Sequence, residues 1–230
     1  GTCYEPGNRP IIECAWNQKP DLILASGDML SGDREEGDAI AVALLSRLSD
    51  LAPVCFVNGN HEMCVERHQP ERYQKFMDDL KNGGVQVLHN ETAWFWIDGE
   101  KVAVTGYELP WEYYRRFSRR HPSVVGMERS IGKRKQDAYQ ILLTHNPVFF
   151  EEYAAWGADF TFAGHLHGGF IRLPYFGGVI SPQFQLFPKY DHGLYQMDTS
   201  SMVVGAGMGN HSGLFRINNP TEIVTVRIKR

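Results

Sequence analysis

Val54-Cys55-Phe56-Val57-Asn58-Gly59-Asn60-His61-Glu62 sets four consecutive apolar residues against an abrupt polar exit. A short run that is apolar at every position suits a strand buried on both faces, as in a parallel sheet covered by further layers. Asn58-Gly59 also reads as a hairpin turn, but His61 to Pro70 lacks the alternation that a return strand needs. The same arrangement recurs three times. Leu22-Ile23-Leu24-Ala25 runs into Gly27-Asp28, Ile141-Leu142-Leu143 into His145-Asn146-Pro147, and Phe160-Thr161-Phe162-Ala163 into Gly164-His165-Leu166-His167-Gly168-Gly169. Each strand delivers a metal-capable side chain just past its carboxyl end, the edge at which α/β folds bind ligands.

Helical periods lie between these strands. Ile12, Ala15 and Trp16 repeat at helical spacing between Pro10 and Pro20, Ala41, Leu44, Leu45 and Leu48 recur at i, i+3, i+4 and i+7, and Tyr73, Phe76, Met77 and Leu80 do so before Gly83-Gly84. Val85 to Leu88 follows as a strand. Strands alternating with helices predict parallel pairing and an α/β core. Farther on, Ala93–Ile97 and Lys101–Thr105 flank Asp98-Gly99, a hairpin signal because both turn positions tolerate positive φ. Beyond Gly168 the pattern is one of strands and glycine turns, ending in a strand expected over Ile223–Ile228. No linker divides the chain, so residues 1–230 are expected to form a single domain.

Composition bounds the reading without deciding it. The 230 residues carry 23 basic and 27 acidic side chains, a net charge of −4, with 43% apolar and 22% charged residues. This excludes a disordered chain and argues against a nucleic-acid coat, so no stable nucleic-acid partner is expected. The longest aliphatic run, Ala39 to Leu45, is far below the ~20 residues of a membrane span. Cys3, Cys14, Cys55 and Cys64 fit no common zinc or disulfide spacing and read as reduced thiols. The chain opens at Gly1 rather than methionine; the expected localisation is cytoplasmic or membrane-associated, with the N-terminal segment needed to decide.

Each polar exit alone is weak: Gly-Asp is a common turn, and a lone His145 is more often a hydrogen-bonded core histidine than a ligand. Gly-His-x-His is more specific, because residues i and i+2 of an extended backbone point to the same side. A carboxylate, an amide oxygen and imidazoles form a mixed O/N donor set suited to Mn, Fe or Zn rather than Ca or Mg. One carboxylate can bridge two cations. Two such ions about 3.5–4 Å apart can activate a water and clamp a phosphoryl group for in-line displacement.

The ordered set Gly27-Asp28, Gly59-Asn60-His61-Glu62, His145 and Gly164-His165-Leu166-His167 resembles the calcineurin-like metallophosphoesterase superfamily. Gly164 to Leu173 (GHLHGGFIRL) is similar to its bacterial phosphodiesterase-type branch. The resemblance implies an α/β four-layer sandwich of two mixed β-sheets flanked by helices. It also implies a centre of two divalent metal ions and hydrolysis of a phosphodiester or phosphomonoester by in-line attack of a metal-bound hydroxide. By motif position Asp28 would bridge the metals, Asn60, His145 and His165 would complete one site, and His167 would serve the other. His61 would act at the leaving oxygen. The superfamily's Asp-x-His first motif has no match in these residues. The expectation is that the chain begins downstream of that motif, with the first strand and two ligands outside the sequence. A non-catalytic scaffold with a degraded metal site is the competing reading.

The substrate is less legible. The segment Arg115 to Lys135 holds eight basic residues against one acid, Glu128, and follows Trp111, Tyr113 and Tyr114. It reads either as a solvated loop or as a lid attracting an anionic substrate or lipid headgroups, giving a peripheral membrane contact. The Asp-Arg-Gly run of phosphoprotein phosphatases does not follow Gly27-Asp28. A small phosphodiester, a nucleotide or a lipid-linked phosphate remains. His192 and His211 read either as groups at the mouth of a cleft or as parts of plain turns.

Overall fold

The structure, a computed structural model, describes residues 6–31, 35–115, 120–169, 172–173, 177–178, 187–209 and 216–229. Its elements are α1 (Arg9–Gln18), β1 (Ile23–Ala25), α2 (Glu36–Ser49), β2 (Val54–Phe56), α3 (Asn60–His68), α4 (Pro70–Asn82), β3 (Gln86–Val87), β4 (Thr92–Ile97) and β5 (Glu100–Tyr107). They continue with α5 (Val124–Ile131), β6 (Tyr139–Thr144), α6 (Phe150–Trp156), β7 (Phe160–Ala163), β8 (Arg172–Leu173), β9 (Gly177–Gly178), β10 (Gly193–Met197) and β11 (Ser200–Val204).

Strands β1, β2 and β3 form a parallel sheet in that order. A second, mixed sheet runs β10-β11-β7-β6-β5-β4, parallel at its centre and antiparallel at both edges. The strands of the smaller sheet sort their side chains by parity. Ile23, Ala25, Val54 and Phe56 pack on α1, α2 and α4, whose Leu45, Leu48, Phe76, Met77 and Leu80 are buried there. Leu24, Cys55 and Val57 point the other way, onto Val102, Val104, Ile141 and Leu143 of the larger sheet. Beyond that sheet, Leu142 meets Met127 and Ile131 of α5 and Tyr153 and Trp156 of α6. The layers are therefore helix, sheet, sheet, helix, and the uniformly apolar runs follow from burial on both faces. Burying each large side chain contributes about 1.5–3 kcal/mol.

The Asp98-Gly99 hairpin forms as its sequence predicts, with Ile97 opposite Glu100 and both turn residues at positive φ. One element carries no periodic signal in the sequence, though no return strand is expected there, and one differs from expectation. The segment after Gly59 is a helix, α3, with no continuous apolar stripe; only Glu62 and Val65 are buried on it. The segment Ile223–Ile228 forms no strand: Ile223, Val224 and Ile228 are exposed, and no described backbone pairs with them. Alternation specifies a face, whereas a strand also needs a neighbour with free backbone groups.

Cys55, fully buried between the sheets, has its thiol pushed up to about 12 by that burial. At pH 8 only about 0.01% of such a thiol is ionised, and the thiolate is the reactive form. Iodoacetamide should therefore alkylate half-buried Cys14 and Cys64 long before Cys55, which should react only at the rate of global unfolding. Peptide mapping by mass spectrometry checks this; equal labelling of all three would contradict the layered core.

Candidate metal centre

The carboxyl ends of β1 and β2 in one sheet and of β6 and β7 in the other open onto a common rim. At the end of β1, Gly27 (φ 92°) and Asp28 (φ 58°) turn sharply back. The turn lies against the exit of β2 so closely that a Cβ on Gly59 would stand 2.2 Å from Asp28 Oδ1, so only glycine fits. Helix α3 starts there, and the His61 N–H donates to Asp28 Oδ1 at 2.9 Å. The partial positive charge of the helix N-terminus favours the carboxylate at this place.

Glu62, wholly buried, binds this junction from beneath. One carboxylate oxygen accepts from the N–H groups of Asp28 (2.8 Å) and Gly59 (2.8 Å), and the other from Leu30 (2.7 Å). Burial and the neighbouring Asp28 charge raise the Glu62 pKa against the pull of these three donors. The sequence reading included Glu62 in the motif but gave it no role. A carboxylate at the third helical position, reaching back to the residue before the helix, is the local signal that points to it.

The larger sheet supplies the imidazoles. His145 Nδ1 lies 2.6 Å from the Ser26 carbonyl, which can only accept, so Nδ1 carries the proton. Nε2 lies 3.0 Å from Asp28 Oδ2 and 3.1 Å from His165 Nδ1; it donates to Asp28 when the ring is protonated and presents a lone pair when the ring is neutral. Asp28, His145 and His165 each offer a ligand atom, all within 4.8 Å of one another. His145 and His165 are buried, and the Tyr114 ring closes over them with its centroid 5.3 Å from that of His165. Burial opposes ionisation of Asp28, yet His145 and His61 hold its carboxyl well below the usual carboxylate range. Burial, then the nearby His145, push His165 well down; burial would lower His145 too, but Asp28 prevails and raises it.

Asn60 stands at the first residue of α3, and its Oδ1 is buried with no hydrogen-bond partner among the described residues; the same holds for His165 Nε2. His61 and His167 are half-buried and close enough to depress His165 electrostatically. Of the six residues singled out from the sequence, Asp28, His145 and His165 form this cluster, Asn60 and His61 open α3 beside Asp28, and His167 follows His165 in its loop without joining the cluster. His192 instead faces Glu222, 2.8 Å away. His211 lies outside the described residues, as do Arg116 and Arg119. Within the basic segment, Val124–Ile131 forms α5 and Arg134 is committed to both oxygens of Asp159 and to the Gly157 carbonyl. Among the described residues no helix is long and apolar enough to cross a membrane.

A model of the calcineurin-like phosphoesterase family matches residues 7–169. The chain belongs to that family. It is 24% identical over 223 residues to the uncharacterized metallophosphoesterase YkuE of Bacillus subtilis, covering 96% of this chain and 72% of that protein. It is 26% identical over 211 residues to the phosphodiesterase YaeI of Escherichia coli, covering 92% of this chain and 71% of that one. Among solved structures, the NAD nucleotidase of Haemophilus influenzae shares the fold at a TM-score of 0.50 and 17% identity; 86% of this chain matches 42% of that chain. The calcineurin-like family implies divalent metal ions, and the residues present fit them. Unpartnered buried acceptors at Asn60 and His165, beside an ionised carboxylate, are a donor set without donors to satisfy it.

Replacing Glu62 by Gln turns an amide NH₂ toward backbone N–H groups at a wholly buried position. We expect a loss of about 1–3 kcal/mol in urea unfolding of the metal-free protein. Mn²⁺ binding by calorimetry should weaken about 10–100-fold.

Proposed function

We propose that the protein hydrolyses a small phosphoester, a diester in preference to a monoester, at a centre of two divalent metal ions. Asp28, Asn60, His145, His165 and His167 hold the ions, and His61 acts on the leaving oxygen. The observation that carries this reading is the Asp28–His145–His165 cluster with its orphaned Asn60 and His165 atoms. Mn, Fe or Zn matches the mixed O/N donors. When bound, the ions would lower the pKa of a water and neutralise charge on the phosphoryl oxygens.

The chain's own residues do the rest. The Ser26 carbonyl fixes the His145 tautomer, so the Nε2 lone pair needs no reorganisation to serve as a ligand. Asp28 engages the His61 N–H through Oδ1 and His145 through Oδ2, which leaves its two oxygens turned toward different sides, as a bridging carboxylate requires. His61 sits on the first turn of α3, where an anionic phosphoryl group is favoured by the helix N-terminus. There its imidazole can donate a hydrogen bond to the leaving oxygen and a proton to the alcohol that departs. The preference for a diester rests on likeness to the E. coli phosphodiesterase and on the missing Asp-Arg-Gly run.

The full-length protein should hydrolyse bis(p-nitrophenyl) phosphate in the presence of Mn²⁺ and lose the activity on chelation. Asp28→Asn should abolish turnover and bound metal together, whereas His61→Ala should lower kcat about 10²–10⁴-fold and keep the metal. Turnover rates followed at 405 nm, with metal content from elemental analysis, test both. Unchanged activity in either variant would refute the assignment.

A further inference from the structure

The loop bearing His165 and His167 is held in a costly conformation. His165 and His167 have φ of 65° and 49°, and Gly168 and Gly169 follow at 69° and 82°. Non-glycine residues in such regions cost about 1–3 kcal/mol each and persist only where the surroundings enforce them. The loop's internal hydrogen bonds are Leu166 N–H to Gly164 O (2.8 Å) and Gly169 N–H to Leu166 O (2.7 Å), and Leu166 plugs the core below. Neither bond engages the His167 carbonyl.

That carbonyl is taken by Asn219, 52 residues farther along the chain and buried. Asn219 Nδ2 donates to the carbonyls of both His167 and Gly169, the latter at 2.7 Å. Two carbonyls can only accept, so the NH₂ end of the amide must face them. Gly168 lies so tightly on the amide that a Cβ there would stand 2.8 Å from Asn219 Oδ1.

Asn219 is in turn secured on both flanks. Before it, the Ile217 carbonyl accepts from Arg172 N–H (3.0 Å) and the Arg216 guanidinium donates to the Ala206 carbonyl (2.8 Å). After it, the Glu222 carboxylate accepts from Ala206 N–H (2.7 Å) and meets His192 (2.8 Å). Asn219 is thus tied both to β8, just beyond the loop it grips, and to the chain leaving β11.

We propose that Asn219 is a positioning residue for His167, its two donated hydrogen bonds holding the His167–Gly169 turn so that the imidazole stands at the metal centre. This rests on the reading of His167 as a metal ligand. The test compares Asn219→Ala, Asn219→Asp and His167→Ala in the full-length protein, with Asn219→Ser, which keeps one donor, as the milder variant. Mn²⁺ affinities are measured by calorimetry, the spin-coupled Mn²⁺ pair by electron paramagnetic resonance, and thermal stability on metal-free protein. The Ala and Asp variants should weaken one ion about 10–100-fold and leave the other within about threefold. The coupled-pair signal should give way to a mononuclear one and return at higher Mn²⁺; Asn219→Ser should fall between. If His167→Ala loses one ion but the Asn219 variants bind both as the wild type does, the inference fails and the ligand reading stands. Equal weakening of both ions with a lowered melting temperature would make Asn219 a merely structural residue and overturn it. Retention of both ions by His167→Ala would overturn the ligand reading itself.

Discussion

The 2.6 Å hydrogen bond from His145 Nδ1–H to the Ser26 carbonyl joins the two sheets at their carboxyl rim and decides which nitrogen of the ring faces Asp28. Ser26 belongs to the exit of β1 and His145 to that of β6, strands of different sheets packed through Leu24, Cys55 and Val57. A shift of one sheet against the other would therefore move a ligand nitrogen relative to the carboxylate it serves. The interior between the sheets is close-packed and resists such sliding. Layer packing thus acts directly on the geometry of the site.

Asp28, His165 and His167 all have positive φ, a conformation that side chains with a Cβ seldom adopt. Two of these turns are each held by a buried polar side chain distant in sequence or on another element: Glu62 grips the Asp28 turn through backbone N–H groups, and Asn219 grips the His167 turn through backbone carbonyls. The two devices are complementary in sign. An acceptor serves N–H groups in one turn and a donor serves C=O groups in the other.

The legible parts of this protein are those whose signal is local. Runs such as Val54–Val57 announce a strand covered on both faces, and Tyr73, Phe76, Met77 and Leu80 announce the buried stripe of α4 that the structure contains. The meeting of Asp28, His145 and His165 was readable because each follows a strand, and strand ends in α/β folds converge. Helix α3 was not readable, because its fixed points are end interactions at Gly59 and Glu62 rather than an apolar period. Alternation at Ile223–Ile228 misled, since nothing in it says whether a partner strand is present. Asn219 carries no local mark: its partners are carbonyls 50 and 52 residues away.

Two carboxylates, the half-buried Asp28 and the wholly buried Glu62, lie close enough that the Asp28 charge raises the Glu62 pKa. Burying such a pair for stability alone would be a poor solution, since desolvation of a charge costs several kcal/mol before any partner is found. The fold divides the task. Glu62 is committed to three backbone N–H groups, whereas Asp28 faces imidazoles that offer ligand atoms beside its own. Glu62 therefore keeps the carbonyl-poor, N–H-rich junction at Gly59 in place, and its negative charge adds to that of Asp28 in drawing positive charge to the rim. A cation at the rim would answer both charges and the unpartnered oxygen of Asn60 at once, which makes its binding free energy part of the free energy that holds the strained turns.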